Sequence, residues 1–425
     1  MIAWLLISFF VLLFLGVPIA MSLGLSAVGG ILFLGAGSTV TIAQRMFEGM
    51  NSFALLAIPL YTFAGFTMSK GGISKRLMDF CYSIVGHIYG GLAHVNVLSS
   101  MIFAGISGSA VADTAGVSGM FMPEMVRKGY SKNFTVAVTA ISSTIGIIIP
   151  PSIPMVVIAG ICGISTGKLF LGGIIPGVLC GLAQMIVSYF MAKKEGVPKE
   201  PGHFTIGPVL HGLWESWPAL LMPIIIVGTI TMGIVSPTEA GVIAVVYGLF
   251  AGGIIYRELK WEDIKFAFAE TVRTSGRIFI VIGAAKLYTV MLTTAGFDKW
   301  VAKTMLGFST NPTVILIMIL LIFFIVTMFM ESIATLTLFM PILYPIALGV
   351  GINPIVLSVL ITVVIGVGLV TPPVGMCIYV ACDLMDVTVG EVFPTLVPFI
   401  AATFVCIALM VAFPQLILLP TYLMA

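Results

Sequence analysis

The sequence predicts an all-α polytopic membrane protein with inverted-topology repeats, two re-entrant helical hairpins and two discontinuous helices. Three observations predict it: an overwhelmingly apolar composition, a series of span-length apolar segments, and two proline pairs in matching positions of the two halves. The chain is 60% hydrophobic and 8% charged, with mean hydropathy +1.19, whereas soluble domains carry about a quarter charged residues. Segments 169–191, 217–235, 240–256, 313–330 and 392–413 approach or exceed the roughly 20 apolar residues that cross a bilayer as a helix. A transmembrane barrel would show weak alternating strands of about ten residues instead.

The proline pairs carry the functional reading. Gly146-Ile-Ile-Ile-Pro150-Pro151 and Gly366-Val-Gly-Leu-Val-Thr371-Pro372-Pro373 interrupt otherwise apolar segments. Proline removes a backbone donor and forces the preceding residue toward extended geometry, so carbonyls at each break lose their helical partners. Hydrocarbon does not solvate them. Unwound backbone at membrane depth is tolerated where protein shields it or a polar cavity meets it, and paired interruptions point to a carrier's binding site.

At the N-terminus, the apolar stretch from Ile2 lacks a basic lead-in and runs past Gly16-Val-Pro18 to Leu34. It reads as a retained anchor, either one long tilted helix or two short ones. The six cysteines contain no CxxC pair, and His87, His94, His203 and His211 show no ligand spacing, so ordinary packing is expected of them. A net charge of +2 without basic–aromatic runs gives no nucleic-acid surface.

Superposing the proline pairs aligns other residues in order. Phe121-Met122-Pro123 falls on Phe339-Met340-Pro341, Asp113-Thr114 on Glu331-Ser332, Leu60-Tyr61-Thr62 on Leu287-Tyr288-Thr289, and Gly72-Ile-Ser-Lys75 on Gly296-Phe-Asp-Lys299. An internal duplication is therefore expected. The connection after Pro123 carries Arg127, Lys128 and Lys132, while its counterpart from Pro341 to Pro354 carries no charge. By the positive-inside tendency these connections lie on opposite faces, which makes the repeat inverted.

The expected organisation follows from that alignment. Residues 1–90 form N-terminal scaffold and arm helices; 91–191 form the first half of a transport domain, with a hairpin over 91–126 and a broken helix over 133–165. Residues 192–275 form a cytoplasmic connector and scaffold hairpin, 276–311 a second arm region, and 312–425 the second half with its last helix. In that second half the hairpin spans 312–348 and the broken helix 353–386. Within the middle part, 193–216 reads as a polar connector, and the tip Ser236-Pro237-Thr238 lacks basic residues, with Glu239 expected as a cap. Lys286 either snorkels or faces a partner helix. Counting crossings gives about nine, with the N-terminus cytoplasmic and the C-terminus periplasmic.

Hydroxyls and glycines at a hairpin tip, facing unwound carbonyls, make an all-oxygen cage suited to hard cations, and sodium fits best. One ion is expected near Ser107, Ser109, Gly146, Ile149 and Pro151, and a second near Glu331, Ser332, Gly366, Gly368 and Thr371. Asp113 and Thr114 are candidate substrate residues, because intramembrane carboxyls are costly and usually face a polar interior. Half-helix N-termini near Ser152 and Gly375 would face an anionic group. The alternatives are a proline kink without a ligand, carboxyls that only fix packing, and proton coupling through Asp113 and Glu331.

Blocks along nearly the whole chain resemble the large membrane subunit of the tripartite ATP-independent periplasmic (TRAP) transporters. They are Gly16-Val-Pro-Ile-Ala20, Asn51-Ser-Phe-Ala-Leu-Leu-Ala-Ile-Pro59, Gly90-Gly-Leu-Ala-His94-Val-Asn96, Ser107-Gly-Ser-Ala-Val-Ala-Asp113, Ile149-Pro-Pro-Ser152, Leu169-Phe-Leu-Gly-Gly-Ile-Ile-Pro176-Gly177, Ser236-Pro-Thr-Glu239-Ala and Thr371-Pro-Pro373. The nearest likeness within the family is to the sialic acid type. The resemblance implies a sodium-coupled importer of carboxylates such as sialic acids or C4-dicarboxylates, and no enzyme. It implies an elevator motion of the transport domain in the bacterial inner membrane, and sodium as coupling ion without another cofactor. It also implies two partners, a periplasmic substrate-binding protein and a small four-helix membrane subunit. Because the repeat begins within the first sixty or so residues, the small subunit is expected as a separate chain. The energetics fit: a monovalent acid with two sodium ions moves one net charge, worth roughly 2.3 kcal/mol at about 100 mV, which sustains about a fifty-fold gradient. No Walker-type run appears in the chain. A passive channel or a membrane enzyme is the more distant alternative.

Overall fold

The computed structural model describes residues 1–35, 38–197 and 205–424, and among them every regular element is helical. Seven of these helices are long and apolar enough to cross a membrane. The N-terminal stretch is two helices, α1 (Ile2–Phe14) and α2 (Ile19–Leu34), separated at Gly16 and Pro18. Gly16 adopts φ 81° there, and Pro18 starts the second helix. An amphipathic α3 (Val40–Met50), α4 (Ala57–Lys70) and α5 (Ile73–Val85) follow.

The first hairpin pairs α6 (Gly91–Ser107) with α7 (Ala110–Arg127), joined at Gly108 and Ser109. A broken segment comes next: α8 (Lys132–Ser143) tightens into a 3₁₀ turn at Thr144–Ile147, opens at Pro150-Pro151, and resumes as α9 (Ile153–Cys162). The 30-residue α10 (Thr166–Glu195) then runs to a left-handed Gly196. Lys193 and Lys194 in its last turn complement the helix dipole and carry the helix beyond the apolar segment. With α11 (Ile206–Thr231) starting at Ile206, the 193–216 connector predicted from polarity shrinks to the residues between these helices. Lys199 and His203 lie outside the described residues. Polarity marks where a helix leaves hydrocarbon, not where it unwinds.

In the middle, α12 (Pro237–Phe250) begins with a capping box: Ser236 Oγ accepts from the Glu239 N–H at 3.3 Å, and Glu239 accepts from the Ser236 N–H at 2.6 Å. A π turn, Ala251–Ile255, ends it. The 34-residue α13 (Trp261–Thr294) passes straight through the boundary expected at 275/276. Arg273 and Arg277 lie inside it, where good helix formers fit. Beyond α13 lies α14 (Phe297–Phe308), and then the second hairpin, α15 (Pro312–Thr327) and α16 (Ser332–Gly349). The second broken segment is α17 (Pro354–Gly368) and α18 (Met376–Met385), and the chain closes with α19 (Val389–Ala412) and a short α20 (Gln415–Leu418).

The halves match in particulars. Gly72 and Gly296 both precede a helix in left-handed geometry, at φ 76° and 80°. Tyr61 and Tyr288 are both buried, and each donates its hydroxyl at 2.8 Å to a distant carbonyl, of Pro237 and Leu5 respectively. Both proline pairs are joined by a cis peptide. The large core gathers the hairpins, the broken helices, α10 and α19, while a second cluster joins α1 and α2 to α13 and α16. Lys286 on α13 lies beside Gly49 of α3, so its stem faces a neighbouring helix.

One pairing does not superpose. Ser109 caps α7 and leaves Asp113 in the first turn, whereas Glu331 itself caps α16. The two helices begin about one turn apart relative to their Phe-Met-Pro runs.

Candidate ion and substrate site

Each hairpin tip is bonded to a break by its backbone. The Ile153 N–H donates to the Gly108 carbonyl at 3.2 Å, and the Val374 N–H donates to the Met328 carbonyl at 2.9 Å. Both donors lie just beyond a proline pair, where the helical ladder has not resumed. The prolines deprive four carbonyls of their i+4 donors: Gly146, Ile147, Gly368 and Leu369. Protein groups recapture some of these. Ser152 Oγ donates to Ile147 at 2.5 Å, the Cys377 N–H donates to Leu369 at 2.9 Å, and the Thr371 N–H donates to Gly368 at 3.1 Å.

At the first break the structure brings Ser107, Ser109, Asp113, Gly146 and Pro151 together. Asp113 is fully buried; Ser107 Oγ donates to its Oδ1, while Oδ2 has no hydrogen-bond partner among the described residues. A Cβ on Gly146 would overlap that carboxylate, and a Cβ on Gly108 would press on the Pro151 carbonyl, so both glycines are contacts no larger residue permits. The Ser109 hydroxyl caps α7 by accepting from the Ala112 N–H at 3.4 Å. The Ile149 side chain packs on Gly177 of α10, leaving its backbone as its only polar contribution. A bare carboxylate oxygen in a buried site is costly unless a proton or a cation meets it.

The second set is less convergent than its sequence neighbours suggested. Glu331 is engaged by its own helix start: Ser332 Oγ donates at 2.7 Å, and the Ile333 and Ala334 N–H groups at 2.9 and 3.3 Å. Gly366 sits at the crossing of the two broken segments, with Thr144 Cβ 3.2 Å from a Cβ built on it. Gly368 approaches the end of α15. A Cβ on Gly368 would come within 2.6 Å of Thr327 Cβ, and the Thr371 hydroxyl donates to Val367 at 2.7 Å. Glu331 therefore acts first as an N-cap, which a linear alignment of carboxylates does not reveal.

Among the substrate candidates, Ser152 and Gly375 occupy the N-cap positions of α9 and α18. The Ser152 hydroxyl is taken by Ile147, and Thr114 Oγ1 donates to Ala110 at 2.9 Å, so in this arrangement neither hydroxyl has a donor to spare. Cys377, in the first turn of α18, is fully buried in the core, as the packing expectation for the cysteines has it.

Two hairpin tips docked on two broken helices in a helical membrane protein form an arrangement suited to a transporter, and the family and relatives this chain matches are transporter permeases, not enzymes. Residues 6–416 match the family described as the tripartite ATP-independent periplasmic transporter, DctM component, and the chain belongs to that family. It is similar to the sialic acid TRAP transporter large permease SiaM of Vibrio cholerae, 35% identical over 96% of this chain and 95% of that protein. Against the C4-dicarboxylate large permease DctM of Pseudomonas aeruginosa it is 35% identical, over 95% and 94% of the two chains. It is 37% identical to the isethionate permease DctMQ of Oleidesulfovibrio alaskensis over 92% of its own length, and spans 62% of that longer protein. The crystal structure of the Alcanivorax borkumensis YdaH transporter shares the fold, with TM-score 0.61 at 13% identity, covering 87% of this chain and 86% of that one.

Proposed function

We propose that this protein is the large permease subunit of a sodium-coupled TRAP importer, carrying a carboxylate of the sialic acid or C4-dicarboxylate class. A separate small membrane subunit completes the membrane part, and a periplasmic binding protein delivers the substrate. The observation that carries this reading is the docked first hairpin: Gly108 bonded to the backbone beyond Pro151, with the bare Asp113 Oδ2 facing Gly146. Coupling ions sit on Ser107, Ser109, Gly146, Ile149 and Pro151, and on Ser332, Gly368 and Thr371 with Glu331 and Gly366 adjoining. Asp113, Thr114, Ser152 and Gly375 border the substrate. The matched left-handed glycines, buried tyrosines and proline pairs support a repeat, and the basic connection after Pro123 against its uncharged counterpart supports its inversion, with the N-terminus cytoplasmic and the C-terminus periplasmic in the inner membrane. The hairpins and broken helices then form a body that moves as an elevator against the remaining helices.

Uptake into proteoliposomes containing this protein, the small subunit and the binding protein tests the proposal. Carboxylate uptake should rise steeply with external sodium at fixed pH, and full uptake without sodium would overturn it. Proton coupling is the second reading, favoured by the same unpartnered Asp113 oxygen; it predicts uptake driven by a pH gradient in sodium-free buffer.

A further inference from the structure

A buried polar seam joins the first hairpin to its broken helix, away from the residues assigned to the ion. Asn96 on α6 is its centre: Nδ2 donates to Thr139 Oγ1 of α8 at 2.7 Å, and Oδ1 accepts from Ser142 Oγ of α8 at 3.0 Å. Ser100, one turn further along α6, donates to Ser142 Oγ at 3.1 Å. Nδ2 also reaches Met125 Sδ of α7 at 3.8 Å, so one amide touches both arms of the hairpin and the helix that leads into the break. Asn96, Ser100, Thr139 and Ser142 are all fully buried.

The fold does not require this seam. Hydrogen bonds between membrane helices are weak, on average about a factor of three each, because the unassembled helices also find partners. The second copy packs α15 on α17 without them. No polar side chain lies on α15 between Thr313 and Thr327, and Ser358 and Thr362 of α17 donate to the Pro354 and Ser358 carbonyls of their own helix. Among the described residues no side-chain hydrogen bond joins α15 to α17, so apolar contacts alone hold that hairpin helix to its break.

What directional bonds add is register, because a satisfied polar network admits one arrangement of the helices that carry it. Register matters here, since both sides of the first break hang from these two helices. Ser107 ends α6 two turns beyond Ser100, and Gly146 follows Ser142 by about one turn. Asp113 lies between them, its Oδ1 held by Ser107 and its carboxylate against Gly146. A binding site works only where its groups are held within about 0.5 Å of the productive geometry.

Resting on the reading of the first break as a coupling-ion site, we infer that Asn96 is a positioning residue. Through Thr139 and Ser142 it fixes the register of α6 on α8, and with it the spacing of Ser107, Asp113 and Gly146 that meets the ion.

Asn96→Leu keeps the volume and removes the bonds across the seam. It strands neither hydroxyl of α8, because Thr139 Oγ1 also donates to the Thr135 carbonyl at 2.8 Å and Ser142 Oγ lies 3.1 Å from the Thr139 carbonyl. Thr139→Val keeps the shape and removes one bond. Uptake is measured in proteoliposomes with the small subunit and the binding protein, as half-saturating sodium and maximal rate, alongside melting of the purified protein. At about a factor of three per bond, half-saturating sodium should rise about tenfold in Asn96→Leu and about threefold in Thr139→Val, with the maximal rate retained. Thr139→Ser, which keeps the hydroxyl, should restore the wild-type value, and Thr362→Val in α17 should leave it unchanged. If Asn96→Leu does not insert, Thr139→Val against Thr139→Ser decides. Lower melting temperatures with unshifted half-saturation would make the seam purely structural and overturn the positioning role, as would an equal shift in Thr362→Val. Wild-type uptake that ignores sodium removes sodium coupling instead. The same variants are then compared by the pH dependence of uptake, since proton coupling employs the same Asp113, and an unshifted pH profile overturns the role.

Discussion

Gly146→Ala isolates the contact on which the proposed first ion site depends. The added methyl falls on the Asp113 carboxylate, which is fully buried and tied to Ser107, so the carboxylate must move or the 3₁₀ turn at Thr144–Ile147 must open. Forcing an extra methyl into a packed interior costs about 1–3 kcal/mol. If that cost falls on the sodium-loaded state, sodium affinity weakens by about 5- to 150-fold. The assay is the half-saturating sodium concentration for uptake in proteoliposomes, with thermal unfolding of the purified protein measured in parallel. Gly119→Ala is the control: it lies in α7 with nothing within 4 Å of the added methyl, and should leave sodium dependence alone. Adding Asp113→Ala to Gly146→Ala removes the colliding group, so the double variant should recover the melting temperature while remaining defective in transport. A Gly146→Ala protein with wild-type sodium dependence and wild-type stability would refute the argument. So would a double variant no more stable than the single one.

Ser107→Ala removes the hydroxyl that holds Asp113 Oδ1, a bond to a charged group worth about 1.5–3 kcal/mol; sodium dependence should weaken by roughly tenfold or more, read from the same uptake curves. Thr371→Ala should weaken sodium dependence without unfolding the protein, judged by uptake and by detergent-solubilised melting. Tyr61→Phe and Tyr288→Phe each lose one buried hydrogen bond and should destabilise by similar amounts, about 1 kcal/mol, in thermal denaturation. Ser236→Ala breaks the capping box of α12 at a cost of about 1 kcal/mol and should leave the sodium half-saturation unchanged.

The sequence by itself determined that this chain lives in a membrane, that it is helical, and where its helices break. Those properties are covalent or local: apolar side chains have no other solvent, and a proline lacks its N–H wherever it stands. It also placed the Ser236–Glu239 cap, because capping residues bond within their own turn. Tertiary structure decided what the breaks touch. Asp113 and Glu331 align in sequence, yet one is a buried carboxylate with a bare oxygen against Gly146 and the other a cap occupied by its own helix. Gly366 reads as part of the second ion set but packs at the crossing on Thr144. The carbonyls of Gly108 and Met328 are ordinary in sequence, and become anchors only when distant backbone beyond each proline pair arrives to donate to them. Such partnerships depend on how helices far apart in the chain come to rest against one another, and no local pattern of residue types encodes them.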